Sequence, residues 1–261
     1  MAHLFYQGNT NMKHDVIHAG NDSGDLAIVA VHGIQGTRAS WQRVQPLLGD
    51  AHWILPNLRG RADAWRGHGP QDYTLDAFGG EVCDVIDAHV TRAPYVLAGW
   101  SMGTSVSLAA FDLLRRAGHA LPAALILMSG SPLLREVQWF GRGDHDTLLT
   151  EIAAREERLG LRSADNSAAD RDAVAWTWQA ISGTDQRALL AGIDVPVLIL
   201  HGSDDEDSPF EHAQLLADGL PDATLVRIDG GRHAILTQHA ERVATEIRHF
   251  LSQHHLTGVT Q

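Results

Sequence analysis

Pro94-Tyr95-Val96-Leu97-Ala98-Gly99-Trp100-Ser101-Met102-Gly103 joins an apolar run to a glycine-flanked turn, and the small residues that follow, Thr104 to Ala110, suit the start of a buried helix. A serine between two glycines at a strand–helix junction is a local arrangement that lifts a hydroxyl clear of the backbone. The turn is too tight for side chains on its flanks, so the oxygen stands where a substrate carbonyl can reach it. The helix that follows aims its first N–H groups at the same place, where they favour negative charge. A plain Gly/Ser turn fits the same pentapeptide, and alone it does not separate the two readings.

A chain of 261 residues accommodates one large α/β domain with an insertion. Lys and Arg total 20 against 32 Asp and Glu, a formal net charge of -12. That field repels polyanions, so neither nucleic acid nor an anionic membrane is an expected partner. The 16 histidines include no His-Glu-x-x-His stretch and there is no cysteine pair, so no metal site is expected. The single cysteine, Cys83, lies in an amphipathic stretch and reads as a packed thiol in a reducing compartment. Met1 to Thr10 carries no basic region followed by a long apolar run, and no segment approaches membrane-spanning length. The expectation is a cytoplasmic protein whose partner is a small-molecule substrate; the oligomeric state stays open.

Strand and helix signals alternate along the chain. Residues 13–18 suit an edge strand. Residues 25–31 and 123–128 are continuous apolar runs of the kind buried on both faces of a parallel sheet, and 53–58 and 195–200 read as further strands. Ser40 is placed to cap a helix beginning at Trp41 and ending near Gly49, and Thr74 and Leu75 open another toward Val90. Between residues 131 and 190 the character changes. Glu151 to Leu161 is charged and helical, Ser163 to Ser167 is loop-like, Trp176 and Trp178 lie in a second helical segment, and no buried strand is evident. Alternation resumes with a helix over 211–220, a strand over 223–228 and a last helix from about 239 to 251, followed by a His-containing tail expected to be disordered. The fold class expected is α/β: a mostly parallel, doubly wound sheet with a helical cap insertion at 131–190, the core comprising 1–130 and 191–261. In such sheets ligand chemistry gathers at the carboxyl ends of the strands. His32, Ser101, Asp205 and His233 all follow predicted strands.

Gly-x-Ser-x-Gly at 99–103, an acidic stretch His201-Gly202-Ser203-Asp204-Asp205 after a late strand, and Gly231-Arg232-His233 after the last one together resemble the α/β-hydrolase family, in that order along the chain. The resemblance covers about residues 24–130 and 191–252, with the insertion in the position of that family's variable lid. It implies that Ser101 is the nucleophile, His233 the general base, and Asp205 the acid that orients it. Family spacing favours Asp205 over Asp204 and Asp207; the glycines before His233 suit a loop that brings an imidazole to the serine turn, whereas His239 reads as the first turn of the last helix and His249 as its surface. The His32-Gly33-Ile34 stretch resembles the family's oxyanion loop, which makes the backbone N–H groups of Ile34 and Met102 the implied donors and gives His32 a supporting role. Two departures stand out: Thr104 replaces a second glycine after the turn, and Asn57 stands where relatives carry Asp, a loop-bracing position.

The implied chemistry is two-step hydrolysis of a small or medium carboxylic ester or lactone, with no cofactor. Trp139, Trp176 and Trp178, with Phe140 and the loop around Trp65, are candidates to line an apolar substrate pocket; the same rings would equally serve to hold a lid on the core. Carbon–carbon hydrolysis of vinylogous ketoacids, peracid formation and acyl transfer use the same residues, and a catalytically silent ligand receptor is the reading from a different class.

Overall fold

The computed structural model describes residues 14–91, 94–160 and 169–256. Seven strands form one sheet in the order β1-β3-β2-β4-β5-β6-β7. They are β1 (Asp15–Gly20), β2 (Ala27–Val31), β3 (His52–Asn57), β4 (Tyr95–Trp100), β5 (Ala124–Met128), β6 (Val197–Gly202) and β7 (Ala223–Ile228). Only β1 runs antiparallel, on β3; every other neighbouring pair is parallel. The expected edge strand therefore exists, shifted to begin at Asp15; Lys13 lies outside the described residues.

The continuous apolar runs are explained by burial on both faces. Along β2, Ala27, Val29 and Val31 join one core cluster, and Ile28 and Ala30 join the other. Leu125 and Leu127 of β5 likewise face away from Ala124, Ile126 and Met128. The first layer is covered by α1 (Leu75–His89) and α2 (Met102–Ala117), with Phe78, Val82, Val106 and Phe111 buried against the sheet. Across the sheet, Val243, Ile247 and Phe250 of α8 (Ala240–Gln253) pack with Trp41 and Trp53. Thr74 caps α1 as expected, its hydroxyl accepting from the Ala77 N–H at 3.1 Å.

The helix expected over 41–49 does not form. Two short 3₁₀ turns, Arg38–Trp41 and Gln45–Leu48, take its place, and the first is capped by Thr37 rather than Ser40. Pro46 is the cause: it has no N–H, and its ring collides with the carbonyl four residues back, so an α-helix cannot run through it. Between β5 and β6 the chain forms α3 (His145–Leu159), α4 (Arg171–Ile181) and α5 (Arg187–Leu190). The loop expected at 163–167 lies outside the described residues, as does Met1–Thr10. Helix α6 (Glu211–Gly219) forms where a helix over 211–220 is expected, and a short α7 (Ile235–Gln238), which the sequence does not signal, precedes α8. His254 does not stand free after α8; its ring packs 4.6 Å from that of Phe250, while residues 257–261 lie outside the described residues. Among the described residues no helix is long and apolar enough to cross a membrane.

Candidate active site

Ser101 occupies the turn between β4 and α2 at φ 57° and ψ -122°, a conformation that L-residues rarely adopt. The flanking glycines are sterically required. A Cβ on Gly99 would collide with the carbonyl of Gly103, and one on Gly103 with the carbonyl of Val31. The Ser101 N–H donates to the Met128 carbonyl at 2.8 Å, tying the turn to β5. Its hydroxyl makes no capping bond to α2 and is left for another partner.

That partner is His233. The Ser101 hydroxyl lies 2.8 Å from His233 Nε2, and His233 Nδ1 lies 3.0 Å from both carboxylate oxygens of Asp205. An ionised carboxylate only accepts, so the Nδ1–H donates to Asp205 and Nε2 accepts from the serine. Asp205 is itself fixed: its Oδ1 accepts from the N–H groups of Asp207 at 3.0 Å and Ser208 at 2.9 Å. Behind it, buried His201 donates through Nε2 to the Ser208 carbonyl at 2.6 Å. His233 is held from the other side by Trp100, whose indole N–H donates to the His233 carbonyl at 3.1 Å and whose ring lies 5.4 Å from the imidazole.

The rivals are placed elsewhere. Asp204 is exposed and accepts from the Ser203 hydroxyl at 2.6 Å. Asp207 pairs with Arg155 of α3 and reaches within 4.0 Å of His233 Nε2. Burial opposes ionisation of Asp207, but the Arg155 hydrogen bond and the nearby positive groups outweigh it and hold the carboxyl below its usual range. His239 sits between α7 and α8, and His249 is exposed on α8.

The loop after β2 closes the site. His32 is fully buried, its Nδ1–H donating to the Gly33 carbonyl at 2.8 Å while Nε2 accepts from the Leu58 N–H at 3.0 Å. Burial, reinforced by the positive charge of Arg61, pushes its pKa down to about 3, so the ring stays neutral in both bonds. A Cβ on Gly33 would meet the Trp100 ring at 3.0 Å and the Ser101 Cβ at 3.1 Å, so glycine lets this loop lie against the serine turn. No acceptor among the described residues meets the Ile34 N–H, and Met102 opens α2, where an N–H has no partner within the helix. Asn57 braces the neighbouring loop: its Oδ1 accepts from the Arg38 N–H and its Nδ2 donates to Asp15, each at 2.8 Å. Cys83 is a packed thiol, pushed up to about 12 by burial.

The tryptophans divide. Trp178 is buried, donates to the Gly141 carbonyl at 2.7 Å and packs on Trp139 and Phe140. Trp176 stacks on His145 and lies against Tyr73 of the β3–α1 loop. Trp139 reaches the acid loop, its indole N–H 3.4 Å from the Ser208 hydroxyl. Arg61, Trp100, His201 and the Arg155–Asp207 pair were not legible beforehand. Nothing in Arg59-Gly60-Arg61 tells which arginine pairs with Glu81 and which binds the Ile34 carbonyl, and pairings across more than fifty residues leave no local signal.

Residues 28–246 match the sequence pattern of the alpha/beta hydrolase family. The chain belongs to that family. Among curated relatives of this alpha/beta hydrolase, a pimeloyl-[acyl-carrier protein] methyl ester esterase of Aromatoleum aromaticum is 29% identical over 256 residues, covering 84% of this chain and 96% of the relative. Among solved structures, an esterase from Exiguobacterium antarcticum superimposes with a TM-score of 0.78 at 19% identity, covering 94% of this chain and 98% of the esterase. The enol-lactonase from Burkholderia xenovorans LB400 does so at 0.73 and 18% identity, covering 93% and 98%. At these identities the two structures speak for the fold.

Proposed function

We propose that this alpha/beta hydrolase cleaves a small or medium carboxylic ester or lactone through Ser101, His233 and Asp205. The observation that carries the reading is the unbroken line from the Ser101 hydroxyl to His233 at 2.8 Å and on to Asp205 at 3.0 Å. In that arrangement Ser101 Oγ attacks the carbonyl carbon while His233 Nε2 takes its proton, and Asp205 stabilises the imidazolium that forms. The oxyanion rests against the N–H groups of Ile34 and Met102. His233 then returns the proton to the departing alcohol, and water repeats the sequence on the acyl-enzyme. The likeness to the pimeloyl-[acyl-carrier protein] methyl ester esterase supports a carboxylic ester as the substrate class, and a lactone presents the same acyl–oxygen bond to the serine.

Residues 131–190 are proposed as the cap over this site. Helices α3 and α4 touch the acid loop through Arg155 and the β3–α1 loop through Arg66–Asp170, and contribute no strand to the sheet. Trp139, which reaches the acid loop from the β5–α3 connection, is the proposed substrate-facing indole; Trp176 and Trp178 hold the cap together. The test is intact mass after exposure to a fluorophosphonate, with wild type beside Ser101→Ala. One adduct on the wild type and none on the variant is expected, with ester turnover lower by about four to six orders of magnitude in Ser101→Ala. Wild-type turnover in that variant would overturn the reading.

A further inference from the structure

Arg61 is fully buried in the β3–α1 connection. Its Nη2 donates to the Ile34 carbonyl at 2.6 Å and its Nη1 to the Arg59 carbonyl at 2.7 Å. Among the described residues no carboxylate is hydrogen-bonded to it, although the charges of Glu81 and Asp170 favour its ionised form. Glu81 is instead taken by Arg59, through the Nε at 2.9 Å and the backbone N–H at 3.0 Å. The ring of Phe78 lies 5.4 Å from the Arg61 guanidinium carbon, and its Nε has no partner among the described residues. Burial lowers its pKa only to about 10, so the group is charged at neutral pH. Burying a cation this way is costly, and a plain apolar side chain of similar volume would fill the space without that cost.

One of the two carbonyls that the cation binds belongs to Ile34 of the loop beside the serine turn. Ile34 lies between two clamped peptide units. His32 holds the Gly33 carbonyl, and therefore the plane that carries the Ile34 N–H; Arg61 holds the Ile34 carbonyl, and therefore the next plane. Because each peptide unit is planar, fixing both leaves the backbone dihedrals of Ile34 little freedom. The following carbonyl, of Gln35, accepts from the Ala169 N–H at 3.4 Å, and Ala169 forms a β-bridge with Arg61.

We propose that Arg61 is a positioning residue of the oxyanion hole, binding the Ile34 carbonyl so that the Ile34 N–H is presented to the reacting carbonyl oxygen. This rests on the serine-hydrolase reading above. Its test compares wild type, Arg61→Met and Arg61→Lys with 4-nitrophenyl acetate, the active sites being counted by fluorophosphonate labelling. A trifluoromethyl ketone, which forms a tetrahedral adduct on the serine, serves as a second probe. In Arg61→Met, kcat per labelled site is expected to fall about a hundredfold, the loss that follows misplacement of an oxyanion donor. KM stays within about threefold and the ketone's Ki weakens by a factor close to that in kcat, since both report the tetrahedral state. Arg61→Lys, with one compact donor group in place of the fork, recovers roughly a tenth of the wild-type rate. A folded Met variant with wild-type kcat and ketone affinity per labelled site overturns the proposal, and so does a loss confined to the number of labelled sites. Should the Met variant not fold, Lys decides: ketone affinity falling with kcat supports the proposal, and unchanged affinity overturns it. Wild type that takes no label, or Ser101→Ala that still turns over, refutes the serine reading itself before Arg61 is tested.

Discussion

Ser101 is held in a backbone conformation that costs on the order of 1–3 kcal/mol, and the surrounding contacts enforce it. Its neighbours show how much of a residue's role depends on where the fold takes it. Asp204 and Asp205 are adjacent and chemically identical, yet one is exposed and the other is buried against an imidazole. Under the proposed mechanism, Asp205→Asn removes the acceptor that fixes the His233 tautomer. It is expected to lower kcat by about 10⁴-fold, while Asp204→Asn stays within about twofold. Steady-state kinetics on the two variants, with circular dichroism to confirm folding, checks this; equal effects would mean that the acid has been misassigned.

At the scale of elements, the junctions carry more of the site than the helices and strands themselves. Serine turn, acid loop and His233 loop all sit at the carboxyl ends of parallel strands, which the strand order places side by side at β4, β5, β6 and β7. Helix α3 reaches this edge through the pair of Arg155 and Asp207, whose side chains are only 11% and 16% exposed. Each partner is too buried to be left unpaired at no cost. Arg155→Met and Asp207→Asn are each expected to destabilise the protein, and the double variant to cost less than the sum by roughly 1–3 kcal/mol. Chemical denaturation of the four proteins measures that coupling. Additive losses would show that α3 is not anchored to the acid loop through this pair.

For the whole molecule, the buried neutral histidines set the response to acid. The pKa of His32 is about 3 in the fold, against 6.5 for an ordinary imidazole, so between those values the unfolded chain binds a proton that the folded chain refuses. Its contribution is fully present above about pH 6.5 and is lost as pH falls toward 3. From pH 7.5 to pH 5 that loss is about 2 kcal/mol for His32 alone. Burial lowers His201 and His212 in the same direction and adds to the slope. Denaturant midpoints at the two pH values test it, and a flat profile would mean that His32 is not buried as a neutral ring.

The doubly wound sheet was legible in the sequence because its strands are buried on both faces and read as unbroken apolar runs; the serine turn was legible because its glycines have no substitute. The order of Ser101, Asp205 and His233 along the chain, read with a family resemblance, pointed to the residues that the fold brings within hydrogen-bonding distance. Ser40 and Gly49 are placed to cap and end a helix over 41–49, but Pro46 between them breaks it into two 3₁₀ turns. The tertiary structure alone decided which of Asp204, Asp205 and Asp207 meets His233, and which of Arg59 and Arg61 is buried behind Ile34. It also brought Trp139 against Ser208 of the acid loop and buried Trp178 behind it. Composition and spacing act over a few residues, whereas these assignments depend on groups brought together from far along the chain, where the geometry and cost of burial select one partner among several of like chemistry.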